Sequence, residues 1–364
     1  MKKHLLCTSA IIGCAMAAPA TAQEWDLNWG GYMNQHVAYA DVSGTALGAA
    51  DFDGIGFHST TEIIFSPSIT LDNGITFGIN VQFEGENGGG GIDGIDETYM
   101  TISGDTLGRI VIGSENSAGY TSMVAAPGVT SMYINSPSIS AFIPFSAAYP
   151  GAFRTAGLSA YTEVGGNNDV DRISYFTPSF NGLTVGVSYA RNNGGNAVGN
   201  HNNNTAATLN DIFDIGLNYS QTFGSTSVTV GARYGTADST LVGVSDPDTW
   251  GIGMQIGFGD FTVGGHYAEN DNGVAGGAGD SSGWSFGGTY DAAGPWAFEA
   301  LTFQGKTDVG GGVDADYEAY RIGASRDLGP GVDWDIYAVF VDADNGGAAD
   351  IDGTVLGTAI NLSF

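Results

Sequence analysis

From residue 354 to its end the chain reads Thr-Val-Leu-Gly-Thr-Ala-Ile-Asn-Leu-Ser-Phe. Counted back from Phe364, the residues Leu362, Ile360, Thr358 and Leu356 share one face, and Ser363, Asn361, Ala359 and Gly357 share the other. That sorting holds only for an extended strand, in which successive side chains point to opposite faces. The rhythm recurs upstream. Ile75, Phe77, Ile79, Val81 and Phe83 alternate with Thr76, Gly78, Asn80, Gln82 and Glu84. Ile252, Met254, Ile256 and Phe258 alternate with Gly251, Gly253, Gln255 and Gly257. One face is oily and the other is mostly Gly, Thr, Ser and Asn, so the second face has to meet water and a dry interior is excluded.

Strands that are apolar outside and polar inside suit a closed barrel in a membrane with a wet lumen. After residue 22 no apolar run approaches the roughly 20 residues of a spanning helix. A chain that crosses hydrocarbon without such helices must close its sheet, because unpaired backbone groups are not tolerated there. Short turn signals, such as Leu71-Asp72-Asn73-Gly74, Phe180-Asn181-Gly182 and Gly259-Asp260, alternate with long Asp/Asn/Gly stretches. The long stretches lie near 40–54, 85–95, 116–170, 192–210, 236–249, 270–281, 306–316 and 343–353. Seven short turns and eight long loops join sixteen strands. The expected fold is all-β: a 16-stranded antiparallel transmembrane β-barrel, wide enough for an aqueous channel.

The N-terminus reads Met1-Lys2-Lys3, an apolar run from Leu5 to Ala18, and then Ala20-Thr21-Ala22. A basic start, a short apolar core and an Ala-x-Ala site predict a secretory signal peptide over residues 1–22 and a single barrel domain over 23–364. Both cysteines, Cys7 and Cys14, fall in the signal segment, which leaves the exported chain without thiol or disulfide chemistry. The whole sequence carries a net charge of −29, with 39 acidic against 10 basic residues. Such acidity repels phosphate and argues against a nucleic-acid partner. All six tryptophans lie near predicted strand ends, as in the aromatic girdles of membrane barrels.

Taken together, the signal peptide, the sixteen-strand layout, the terminal Asn361-Leu362-Ser363-Phe364 and the very long loop after Arg109-Ile-Val-Ile-Gly-Ser-Glu115 resemble the general diffusion porins of Gram-negative outer membranes, of the alphaproteobacterial type. The resemblance implies short periplasmic turns and long extracellular loops. It implies that the third long loop, here about 117–170, folds into the lumen and narrows it. It also implies that Phe364 is an assembly signal read by the barrel-assembly machinery, that three barrels associate, and that the first strand, opening at Gln23-Glu24-Trp25, closes onto the last. The surroundings would be outer-membrane lipid and lipopolysaccharide, and the cargo small hydrophilic solutes and ions.

From Ser117 to Thr162 loop 3 has no carboxylate and one base, Arg154, but many apolar residues, including Met123, Met132, Ile134, Ile139, Phe142 and Ile143. Such a segment is expected to pack against the inner wall, stiffened by Pro127, Pro137, Pro144 and Pro150. Strand parity places Arg109, Arg172, Arg233 and Arg321 inward, with Glu62, Glu84, Glu97, Asp214, Glu299 and Asp335. An arginine facing lipid at mid-membrane would cost about 2–4 kcal/mol. Rings of charged side chains set ion preference, so the expected constriction residues are Glu115, Arg154, Glu163, Asp169, Arg172, Arg233 and Arg321. The loop's carboxylates sit at its roots, where the family pattern would place one in the middle. The excess of acidic groups, mostly at the mouths, predicts a preference for cations.

No nucleophile elbow, phosphate loop or dinucleotide fingerprint is present, and the histidines His36, His58, His201 and His266 have no metal spacing. An enzyme is therefore not expected and no cofactor is assigned. Gly88–Asp96 and Asp342–Gly346 contain only fragments of calcium-loop patterns; a loosely held calcium at the loops is the most they suggest. The alternatives to a passive channel are a substrate-selective channel on the same barrel and a secreted β-rich adhesin.

Overall fold

The computed structural model describes residues 23–87, 94–134, 137–144, 164, 169–194, 207–347 and 349–364. The signal peptide expected over residues 1–22 lies outside them. Seventeen strand segments form one antiparallel sheet. They are β1 (Trp29–Ser43), β2 (Gly54–Phe65), β3 (Ser68–Thr70), β4 (Thr76–Asn87), β5 (Gly94–Gly104), β6 (Gly108–Ser114), β7 (Asp171–Phe176), β8 (Leu183–Asn192) and β9 (Leu209–Phe223). The rest are β10 (Thr226–Ser239), β11 (Asp248–Phe258), β12 (Phe261–Asp271), β13 (Ser281–Asp291), β14 (Trp296–Gly310), β15 (Val313–Gly329), β16 (Val332–Asp344) and β17 (Asp350–Ser363).

β2 and β3 both pair with β4 and are parted only at Ser66-Pro67. Proline has no N–H to give to a ladder, yet its carbonyl still accepts from the Ile79 N–H at 2.9 Å. The two segments are one interrupted strand, and the barrel has sixteen. β1 pairs with β2 on one side and β17 on the other, with Tyr32 opposite Ser363. At the seam the Phe364 N–H donates to the Gly31 carbonyl at 3.1 Å, and the Gly31 N–H donates back to Phe364 at 3.2 Å. The ring has no free edge, which removes the liability of an open sheet.

The faces are inside out relative to a water-soluble fold. Phe57 and Phe286 point outward and are 71% and 60% exposed, while inward neighbours such as His58 and Ser285 are buried. The buried apolar clusters lie between the inner wall and the polypeptide folded against it. One joins Met132, Ile134, Ile139 and Ile143 to β14–β17 and β1; another joins Ala118 to Val111 and Phe176.

Two boundaries differ from expectation. The stretch 306–316 is a tight hairpin, with β14 running to Gly310 and β15 starting at Val313. Past the membrane both faces meet water, so the apolar alternation fades while the ladder continues. At the N-terminus β1 opens at Trp29, and Asp26 bridges to Ser68 on β3, away from the last strand. Residues 26–28 thereby extend the pairing of β1 along its immediate neighbour, the interrupted β2–β3 strand.

Candidate functional site

Loop 3 leaves β6 through Glu115 and enters the lumen, where it is laid across the wall strand after strand. A single turn, α1 (Ala118–Thr121), opens it; Ser117 caps the turn, its Oγ accepting from the Tyr120 N–H at 3.1 Å. The Ala118 N–H donates to Ser188 Oγ on β8 at 3.0 Å. Asn218 on β9 donates to the Ser122 carbonyl at 3.1 Å, and Gln255 on β11 to the Ala125 carbonyl at 2.9 Å. The Ala126 N–H reaches Ser285 Oγ on β13 at 3.1 Å. On β14, Glu299 accepts from the Val129 and Thr130 N–H groups at 2.5 and 3.2 Å and from Thr130 Oγ1 at 2.5 Å. On β16, Asp335 accepts from the Ser131 N–H at 2.8 Å.

Crossing from β8 to β16 is eight inter-strand steps, about 38 Å at about 4.8 Å each. The fourteen residues from Ala118 to Ser131 make all of these contacts, opening with the helical turn α1 and continuing as an extended strip along the wall. We call it the belt.

Inward glycines of the wall make room for the belt. Gly231 and Gly253 are inward positions where a side chain would strike the backbone, at the Ser122 and Val124 carbonyls respectively. Beyond Ser131 the contacts are apolar: Met132 and Ile134 are buried, Phe142 packs on Gly56 and His58, and Ile143 on Gly353. The Tyr317 hydroxyl donates to the Ile134 carbonyl. Fully burying each such side chain stabilises by about 1.5–3 kcal/mol. Tyr133 is the exception, 57% exposed toward the lumen between two buried neighbours.

The expected constriction residues divide into three groups. Glu115, Asp169 and Arg172 come together at the root of the loop. Ser114 donates its hydroxyl to the Asp169 carbonyl, and Arg172 sits opposite Gly113 in the ladder. Glu97 on β5 belongs to the same corner, coupled electrostatically to Glu115 and Asp169 and accepting from Gln82 and Asn116 at 2.6 and 2.8 Å. Burial holds the Glu115 carboxyl above its usual range, against hydrogen bonds from Tyr99 and the Asn116 N–H.

Arg233 and Arg321 form the second group, each 5% exposed and beneath the belt. Arg233 donates to Thr249 at 3.0 Å below α1. Arg321 makes a two-pronged ion pair with Glu299, Nε to Oε1 at 2.7 Å and Nη2 to Oε2 at 2.9 Å. The third group, Arg154 and Glu163, lies outside the described residues.

The inward parity of Glu299 and Asp335 is legible in the sequence, but their task of holding loop N–H groups is not. Nor is the pairing of His36 with Tyr337, 3.0 Å apart and buried beside His58. Among the described residues no cluster of His, Cys, Asp or Glu has a metal-holding arrangement.

A family model described as Gram-negative porin matches residues 8–348. A search of curated proteins by sequence finds no match. Among solved structures, OmpT from Vibrio cholerae in its trimer form superposes with a TM-score of 0.63 at 13% identity, over 93% of this chain and 99% of that one. An anion-selective porin from Comamonas acidovorans gives 0.59 at 14%, over 94% and 100%. A mutant of the Rh. blastica porin gives 0.55 at 19%, over 93% and 100%. At such identities the superpositions carry the fold, and the family match carries the membership. With its closed sixteen-strand wall and its third loop laid inside, the chain belongs to the Gram-negative porin family and is a non-enzymatic diffusion channel of the outer membrane.

Proposed function

We propose that this porin passes small hydrophilic solutes and prefers cations. The supporting observation is where the belt lies. Arg233 and Arg321 are covered by it, and Arg321 is also neutralised by Glu299. Two inward cations are thereby withdrawn from the ion path together with the wall carboxylates Glu299 and Asp335, and the chain as a whole still carries 39 acidic residues against 10 basic ones. Accessible negative charge at a pore mouth concentrates counter-cations, and salt screens the effect. The constriction on this reading is the corner of Glu115, Asp169 and Arg172, with Arg154 and Glu163 contributing from the remainder of the loop. The zero-current potential of the reconstituted protein across a tenfold potassium chloride gradient tests it. The sign of cation flow is expected; an anion potential, the behaviour named for the Comamonas acidovorans relative, would overturn the reading.

The remaining assignments belong to the same proposal. Residues 1–22 are removed on export, and N-terminal sequencing of the outer-membrane form should begin at Gln23. Phe364 serves as the assembly signal, so F364A should lower the folded yield. The barrel associates as a homotrimer, as the trimer form of OmpT does, surrounded by outer-membrane lipid and lipopolysaccharide. The alphaproteobacterial kinship would place the chain beside such porins in a phylogeny.

A further inference from the structure

The outer surface of β14–β17 is not smooth. Even-numbered residues of β15 and β16 face outward, and small ones among them, Ala324 and Ala338, floor a furrow of about 950 Å³. Ile322, Ile336 and Leu356 wall it. At the short-turn end the furrow meets one row of the ladder, in which Arg326 lies directly between Trp296 and Trp334. The two indoles are 5.8 Å apart, and the guanidinium carbon sits 5.5 Å from the Trp296 ring. Trp334 is fixed by donating its indole N–H to Thr358 at 2.7 Å.

Arg326 Nε is buried without a hydrogen-bond partner. Its neighbours Asp327 and Asp333 have the opposite parity and belong to the inner face. The other described bases stand elsewhere: Arg109 faces inward over Phe176, Arg172, Arg233 and Arg321 are buried on the inner face, Lys306 pairs with Asp314 at the long-loop end, and Arg191 is exposed at the long-loop end of β8. Arg326 is thus the one base, among the described residues, on the outer face at the periplasmic end.

We propose that this furrow binds one phospholipid of the periplasmic leaflet, with Arg326 holding the phosphate between the two indoles and an acyl chain lying along Ala324 and Ala338. The occupant follows from charge and position. A guanidinium with free donors matches a phosphate diester, indoles favour the headgroup level, and the apolar furrow runs from there into the hydrocarbon. A neighbouring barrel could fill the furrow but would have to bring an anion to the same spot.

Native mass spectrometry of the detergent-purified full chain, titrated with palmitoyl-oleoyl phosphatidylglycerol, tests the site. One retained lipid per barrel is expected, against none for dioleoylglycerol, which lacks the phosphate. R326Q should weaken retention about tenfold through loss of a charge-assisted contact. A338L keeps the arginine but fills the furrow, and should weaken retention by a similar factor. Heat-modifiable gel mobility and unchanged conductance show that each variant is folded. Retention by either folded variant at the wild-type level overturns the proposal. So does an A338L variant that loses subunit association while keeping its lipid, because the furrow would then be a contact between copies.

Discussion

At the scale of single residues, the belt hangs on a few wall carboxylates. Glu299 serves two masters: it neutralises Arg321 and accepts three hydrogen bonds from Val129 and Thr130. Removing one partner of a buried ion pair leaves an unpaired charge and costs about 3–5 kcal/mol. E299A should therefore lower the thermal midpoint of the detergent-solubilised barrel and free the loop at that point. Single-channel records should show brief transitions that the wild type lacks. Glu115 makes a different prediction. Burial raises its pKa, so as pH falls it loses its charge before an ordinary carboxylate does. Cation preference should decline on mild acidification, and E115Q should flatten that pH dependence in zero-current potentials. A pH profile identical in E115Q and wild type would remove Glu115 from the ion path.

At the scale of elements, the wall was readable and the belt only partly so. Alternation exposed the strands because each spanning segment separates lipid from water every second residue. The signal fades where β14 and β15 rise beyond the membrane, and a two-residue turn at 311–312 was hidden inside a polar run. The apolar content of residues 123–143 foretold a loop packed on the wall. Its route could not be foretold, because it depends on partners more than a hundred residues away, such as Ala126 with Ser285 and Thr130 with Glu299. Inward glycines looked like ordinary members of a polar face; only the close approach of the belt gives Gly231 and Gly253 their reason. Accordingly G253L should displace the loop into the lumen and reduce single-channel conductance, whereas leucine at Gly259, a turn position with open space around it, should leave conductance unchanged even if its positive φ of 57° costs some stability.

For the whole molecule, one arrangement accounts for barrel and channel together. A ring of sixteen strands satisfies its backbone internally and turns its oily side chains outward. The long third loop is spread against the inside, so its apolar side chains find a dry surface without filling the lumen, and two wall arginines disappear beneath it. The measurement that tests this arrangement most directly is thiol labelling during single-channel recording. Both native cysteines, Cys7 and Cys14, fall within the segment proposed above to be removed on export, so on that proposal single cysteines can be placed one at a time in a thiol-free chain. Y133C, at a lumen-exposed position, should react with a charged methanethiosulfonate reagent and step the current. M132C, at a fully buried neighbour, should not react. Equal reaction at both positions would mean that the loop does not lie on the wall, and the account would fail.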